Sequence, residues 1–318
     1  MIVRIFITGA AGFIGSNLVD SLLKDQYKVM GIDNFDPFYD RKIKEHNLQD
    51  ALMNPEFHFA EGDVRDADFI NKCFSEFNPD IVVHLAAKAG VQPSLVDPKS
   101  YFDVNVLGTL NILDMMRKNN IKKIIFASSS SVYGNSLKVP FSEHDNVDFP
   151  ISPYAASKKA GEQLCFTYHH LYNFNIFCLR FFTVYGLRQR PDLAICKFSK
   201  AILNDETISL YGDGTSSRDY THISDIIQGI TSSLKKVDGY DIFNLGESTA
   251  ISLINLVSIL EKHSFKKAKI RFLPMQDGDV FQTYADISKA RDKLGYNPSV
   301  DIDSGIKRYL EGLNATTL

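Results

Sequence analysis

Short apolar runs at 2–7, 28–32, 56–60, 80–85, 122–127 and 175–182 alternate with helical stretches at 13–24, 41–52, 66–77, 98–119 and 153–172. Strands and helices alternating at these lengths predict βαβ units, hence an α/β fold built on a doubly wound parallel sheet. Continuous apolar runs such as Lys123-Ile124-Ile125-Phe126-Ala127 suit strands covered by helices on both faces. After about residue 182 the rhythm changes: loops lengthen at 188–191, 212–220 and 277–280, and the strands shorten. Residues 1–180 are therefore expected to form the sheet domain, with 222–246 returning to it through Asp241-Ile242-Phe243-Asn244-Leu245. Residues 181–318 are expected to form a smaller lobe over the sheet's carboxyl edge.

The 318 residues suffice for one large α/β domain and such a lobe. A net charge of −3 carries no basic excess, so neither a nucleic acid nor a membrane is expected as partner. The first 24 residues are apolar enough to resemble an export signal. Arg4 inside the run, the Gly and Ala residues at 9–12 and Asp20 fit a strand, a loop and a helix better. No stretch reaches about 18 uninterrupted apolar residues, and a cytoplasmic location is expected. Cys73, Cys165, Cys178 and Cys196 show no CxxC pairing and are expected as buried thiols, with no metal site.

Thr8-Gly9-Ala10-Ala11-Gly12-Phe13-Ile14-Gly15 follows the first strand and opens the first helix. Glycines there permit a tight turn, close approach of a diphosphate and close helix-on-strand packing, with the anion at the helix N-terminus. The GxxGxxG spacing differs from the general GxGxxG fingerprint of the Rossmann fold. Its context adds weight: Asp33, beside Asn34 at the end of the second strand, can accept bonds from both ribose hydroxyls and would repel a 2′-phosphate. NAD is thus the expected cofactor, with Gly9, Gly12, Phe13, Ile14, Gly15, Asp33 and Asn34 in its site. Asp63-Val64 after the third strand reads equally as an adenine contact or as a turn acid. His84 ends the fourth strand as a core or supporting histidine, and Leu85-Ala86-Ala87-Lys88 after it lets a cofactor lie close to the backbone.

Tyr154-Ala155-Ala156-Ser157-Lys158 is a YxxxK, with Ser152 as N-cap and Pro153 at the first helical position. The i,i+4 spacing puts phenol and ammonium on one face. An ammonium about 4 Å from a phenol favours phenolate by roughly 4 kcal/mol at an effective dielectric of about 20, which would bring Tyr154 toward neutral pH. Such a tyrosine can take a hydroxyl proton while a nicotinamide takes hydride. Ser128-Ser129-Ser130-Ser131-Val132-Tyr133-Gly134 follows the fifth strand, where loops line the ligand crevice, and offers a dense array of hydroxyls.

TGAAGFIG, Asp33, HLAA, SSSSVYG and YAASK together resemble the extended short-chain dehydrogenase/reductases that act on nucleotide sugars, from residue 1 to about 310. Within that group, Arg180-Phe181-Phe182-Thr183-Val184-Tyr185-Gly186 and Arg188-Gln189-Arg190-Pro191-Asp192 are similar to UDP-glucuronate 4-epimerases. So are Gly31-Ile32-Asp33-Asn34-Phe35, Phe38-Tyr39-Asp40 and Met275-Gln276-Asp277-Gly278-Asp279-Val280. The resemblance implies Tyr154 as base, Ser129 on the sugar's C4 oxygen, and Lys158 holding the nicotinamide ribose and tuning Tyr154. Asn105 would support the cofactor site between two helices. Arg190, Arg218 and Asp279 would bind the diphosphate and the uridine ribose, with Tyr211-Gly212-Asp213-Gly214 and Arg218-Asp219-Tyr220 closing over the nucleotide. The family's reaction passes through a transient 4-ketone and regenerates NAD⁺ at each turnover. Gln92 stands where these epimerases often carry Arg, and Leu187 where many carry Pro.

Dehydratases of the group resemble TDEVYG at the serine loop, where this chain has Ser130 and Ser131; serine cannot replace a carboxylate as general acid or base near neutral pH. Related decarboxylases resemble a loop with Glu at the place of Ser131. Serine hydroxyls, with Thr183 opposite, can instead hold a uronate carboxylate, and Thr183 stands where neutral-hexose epimerases usually have Asn. The expected activity is 4-epimerisation of UDP-glucuronic acid to UDP-galacturonic acid. A UDP-glucose or UDP-N-acetylhexosamine 4-epimerase is the alternative, and a non-catalytic NAD-binding regulator is the reading from another class. Apolar residues beyond one face of the helices near 98–119 and 153–172 (Phe102, Val106, Leu110, Leu113, Leu164, Cys165, Tyr168) imply a homodimer, because related enzymes pair these helices as a four-helix interface.

Overall fold

The computed structural model describes residues 2–276 and 278–316, so Asp277 lies outside the described residues. The strands are β1 (Arg4–Thr8), β2 (Lys28–Asp33), β3 (Phe57–Glu61), β4 (Ile81–His84), β5 (Lys123–Ser129), β6 (Asn175–Phe181), β7 (Thr183–Tyr185), β8 (Thr207–Tyr211), β9 (Ser217–His222), β10 (Tyr240–Leu245), β11 (Ala250–Ser252) and β12 (Lys269–Leu273). The α-helices are α1 (Phe13–Lys24), α2 (Arg41–Leu48), α3 (Ala67–Phe77), α4 (Val91–Val96), α5 (Pro98–Phe102), α6 (Gly108–Lys118), α7 (Pro153–Tyr172), α8 (Ala194–Leu203), α9 (Ile223–Lys236), α10 (Leu253–Ser264), α11 (Ser288–Leu294) and α12 (Ile302–Thr316).

Seven strands form one parallel sheet in the order β10-β6-β5-β4-β1-β2-β3. Successive side chains of a strand point to opposite faces, and both faces here are apolar. Ile5, Ile7, Val83 and Ile125 meet Leu18 and Leu22 of α1 and Ile226 of α9 on one side. Phe6, Val82, Ile124 and Phe126 meet Ile70 of α3, Ile112 of α6 and Cys165 of α7 on the other. Each such side chain fully removed from water contributes roughly 1.5–3 kcal/mol. β1 lies between β2 and β4, the point where the strand order reverses, so the loops after β1 and β4 diverge and open a crevice at the carboxyl ends.

The return segment supplies β10, which pairs with β6 at the sheet edge. The second lobe holds a three-stranded sheet, β11-β9-β7, and a parallel pair, β12-β8, over a core that includes Ile195, Ile202, Leu256, Leu260 and Tyr309. Ser152 caps α7 by accepting from the Ala155 amide at 3.1 Å. Two expected helices differ. The stretch 41–52 ends as α2 at Leu48, with a 3-10 turn at Ala51–Met53 beside the turn-forming Asp50 and Asn54. The stretch 98–119 is α5 and α6 joined by a π turn at Asp103–Leu107, whose Asn105 side chain bonds outside the helix. No described helix is long and apolar enough to cross a membrane. All four cysteines are buried and free, and the described residues hold no group of ligands for a metal ion.

Candidate active site

A cavity of about 820 Å³ lies at the carboxyl ends of β1, β4, β5 and β6. One end is built by the glycine loop. Gly9, at φ +73°, lies so close to the next strand's loop that a Cβ would come within 2.9 Å of the Ala86 nitrogen, and a Cβ on Gly15 would meet the Gly9 carbonyl at 2.0 Å. No side chain caps α1 at Gly12. Its first amides, at Phe13, Ile14 and Gly15, border the cavity as an anion site. Asp33 is buried there; its carboxylate accepts from the amides of Ala11 at 3.1 Å and Phe35 at 2.9 Å. Burial pushes its pKa up, against those amides and the charge of Lys44.

Asn34, Val64, Leu85, Ala86, Ala87 and Lys88 also line the wall. Two residues expected at the cofactor do not. Asp63 is held by Arg65 at 2.7 Å and by the Asn34 amide at 2.8 Å, which pull its pKa down to about 2. Asn105 stands behind the wall: its side chain takes the Lys88 amide at 2.8 Å and donates to the Lys88 carbonyl and to Ser157 Oγ, both at 2.9 Å. His84 is a supporting residue. Thr109 donates to the Asn105 carbonyl at 2.6 Å and so accepts from His84 Nε2 at 3.0 Å. Thr8 accepts from the Ala86 amide at 3.0 Å and donates to His84 Nδ1 at 2.7 Å. The imidazole is thereby fixed as the neutral Nε2–H tautomer, and burial holds its pKa down at about 3.

At the other end Ser129, Ser130, Ser131, Tyr154, Lys158 and Thr183 converge. Ser129 faces the Tyr154 hydroxyl and lowers its pKa, and it accepts from the Ser131 hydroxyl at 2.9 Å. The edge of the Tyr101 ring meets Tyr154 at 6.1 Å between centroids. The Lys158 ammonium donates to the Ala127 carbonyl at 2.8 Å and lies over the Phe126 ring; burial lowers its pKa to about 8. Burial raises the pKa of Tyr154, and the groups that oppose this are Ser129 and the charge of Arg190.

Arg190 lines the cavity, but Asp192 grips it with two bonds of 2.9 and 2.7 Å, and it stacks over Phe38. Its charge is thus partly balanced. Arg218 makes no ion pair among the described residues, bonding instead to the carbonyls of Ser217 and Phe281 at 2.9 and 3.3 Å, so it is the better-placed cation for an anionic ligand. Asp279 lines the cavity beside it. Sequence reasoning missed Lys44 and Tyr101 in the wall. Lys44 is buried over the Tyr39 ring, with its ammonium on the Asp36 carbonyl at 2.8 Å. Nothing in its charged helical stretch marks it. The close-packed glycines, the uncapped helix start and the buried acceptor Asp33 together fit a dinucleotide.

The family model described as GDP-mannose 4,6 dehydratase matches residues 6–309. An uncharacterized protein of Methanocaldococcus jannaschii is 47% identical over 96% of this chain and 94% of its own. A UDP-glucuronate 4-epimerase of Thermodesulfobacterium geofontis is 43% identical over 95% of this chain and 93% of its own. The crystal structure of UDP-glucuronic acid 4-epimerase from Bacillus cereus, in complex with UDP-glucuronic acid and NAD, superposes with a TM-score of 0.94 at 38% identity, covering 99% of this chain and all of that one. Kinship of this extent, in sequence and in fold alike, makes the chain a member of the extended short-chain dehydrogenase/reductases, among the NAD-dependent nucleotide-sugar epimerases.

Proposed function

We propose that the chain holds NAD and inverts C4 of UDP-glucuronic acid, giving UDP-galacturonic acid through a transient 4-ketone. The observation that carries this reading is the cluster of neutral hydroxyls, Ser129 to Ser131 with Thr183, in one cavity with Tyr154 and Arg218. Tyr154 takes the proton of the C4 hydroxyl and Ser129 bonds the same oxygen. In the return step Tyr154 gives the proton back, so no external acid is needed. NAD bound on the glycine loop and Asp33 supplies the hydride acceptor and then the donor. Arg218 faces the diphosphate.

A 4-keto uronate is a β-keto acid and loses CO₂ when its C5–C6 bond aligns with the ketone π-system. Ser130, Ser131 and Thr183 hold the carboxylate out of that alignment, each bond to the charged group contributing roughly 1.5–3 kcal/mol. They also select uronates over neutral hexoses.

Incubation with UDP-glucuronate, UDP-glucose and UDP-N-acetylglucosamine in separate vessels, followed by chromatography of the products, tests this. Conversion of UDP-glucuronate well ahead of the other two is expected. Equal or faster conversion of UDP-glucose would move the substrate to the neutral hexoses, and no conversion of any sugar would favour a binding role.

A further inference from the structure

Arg180 and Glu162 form an ion pair in which both side chains are 1% exposed, beneath the serine loop. Arg180 donates from Nε to Oε1 and from Nη2 to Oε2 of Glu162, both at 2.8 Å. The same carboxylate accepts from Ser128 Oγ at 2.6 Å. Three elements therefore meet on one side chain: α7 through Glu162, β5 through Ser128 and β6 through Arg180. Ser128 and Arg180 are paired in register, one step before Ser129 and Phe181. The guanidinium also lies over the Tyr133 ring at 4.8 Å, and the Tyr133 hydroxyl donates to Asn244 of β10 at 2.7 Å.

Desolvating two charges is expensive, and a well-packed apolar pair of similar volume is often as stable or more so. Stability alone is thus a poor reason for ions at this place, and Arg180 Nη1 is left without a hydrogen-bond partner. The position of the pair is more informative. Glu162 lies one helical turn beyond Lys158 and two beyond Tyr154 on α7, while Ser128 directly precedes Ser129. The carboxylate ties the helix that carries the phenol to the strand that carries the hydroxyl facing it. Proton transfer demands hydrogen-bond reach, and a shift of about 1 Å costs roughly 100-fold in rate.

We propose that Glu162, held in place by Arg180, is a positioning residue that sets the approach of Tyr154 to Ser129 through Ser128. The proposal rests on the reading of Tyr154 and Ser129 as the proton-transfer pair. Neither Glu162 nor Arg180 touches the reacting atoms.

The test uses the full-length, NAD-loaded protein with UDP-glucuronate and, as a second substrate, UDP-glucose. Ser128→Ala removes only the tie to β5. It is expected to lower kcat roughly ten-fold, as loss of a bond to a charged group does, with KM within about three-fold and NAD content and melting temperature close to wild type. Glu162→Gln is expected to lower kcat by roughly 100-fold. The double variant is expected to be no slower than Glu162→Gln alone, because both changes break one device. Wild-type kcat in folded Ser128→Ala protein, a parallel change in kcat and KM, or multiplying effects in the double variant would overturn the proposal. Should Glu162→Gln fail to fold, Ser128→Ala decides alone. Tyr154→Phe in the same assay separates the two readings. If it stays active, the proton-transfer pair falls and the positioning role falls with it. If it is inactive while Ser128→Ala runs at the wild-type rate, only the positioning role falls.

Discussion

The ammonium of Lys158 is fastened to the carbonyl oxygen of Ala127 at 2.8 Å, turned toward β5. The charge of Arg190, on the cavity wall, eases ionisation of Tyr154. Burial places the phenol above its ordinary pKa, so the base form grows in as pH rises, and Arg190 brings that rise to lower pH. Arg190→Gln should move the acidic limb of the kcat profile to higher pH, measured with saturating nucleotide sugar. An unmoved limb would show that Arg190 does not reach the phenol. Tyr154→Phe should lower kcat by roughly 10²–10⁴-fold with nucleotide-sugar affinity within a few-fold.

Asp33 should set the choice of cofactor. Its buried carboxylate would face a 2′-phosphate as a like charge, and such juxtapositions cost several kcal/mol. Wild-type protein is expected to bind NAD(H) at least roughly 100-fold more tightly than NADP(H), and Asp33→Ser to narrow that gap by ten-fold or more, as read by calorimetry. Equal affinities in the wild type would remove Asp33 from the ribose.

Thr183→Val keeps the shape and deletes one hydroxyl. We expect slower UDP-glucuronate turnover by about ten-fold, little gain with UDP-glucose, and more released CO₂ per turnover. Ser130→Ala should act in the same direction. A parallel fall with both sugars would mean that these hydroxyls only order the loop.

His84 makes a prediction about stability. Its folded pKa of about 3 lies below the ordinary 6.5, so the unfolded chain takes up a proton first as pH falls. The stabilisation is complete above about pH 6.5 and is lost progressively from there toward pH 3. The melting temperature should therefore drop across pH 6.5 to 4 more steeply in wild type than in His84→Gln. Identical slopes would show that the acid sensitivity comes from elsewhere.

Phe102, Leu107, Phe166 and Leu171, on α5, the π turn and α7, are between 41% and 57% exposed. Leu113, Cys165 and Tyr168, expected on the same surface, are buried in the core on this side of the sheet instead. The exposed set fits pairing of these helices with those of a second copy. Light scattering at micromolar concentration should give a dimer mass, and a monomer would exclude it.

Most of the sheet was legible because its strands are buried on both faces and so read as unbroken apolar runs; Ile5 to Ile7 and Ile124 to Phe126 are such cases. The glycine loop was legible because only glycine fits there. Local spacing places Lys158 on the same face as Tyr154, but the partner it bonds is fixed by β5, across 31 residues of sequence. The pairings of Asp63 and Arg190 were hidden for a related reason. Each is claimed by a neighbour two residues away, Arg65 and Asp192, and a free acid and a paired one have the same letter in a sequence.

The π turn at Asp103–Leu107 acts as a change of phase. It holds one residue more than an α turn, so α6 is rotated by about 100° from the alignment that α5 would have given it. Before the turn, Tyr101 meets Tyr154 in the cavity wall; after it, Ile112, Leu113 and Met116 meet the sheet. One continuous helix thus keeps two separate alignments. Removing a single residue between them would shorten the chain by almost nothing, yet it would rotate either the cavity wall or the apolar stripe out of place.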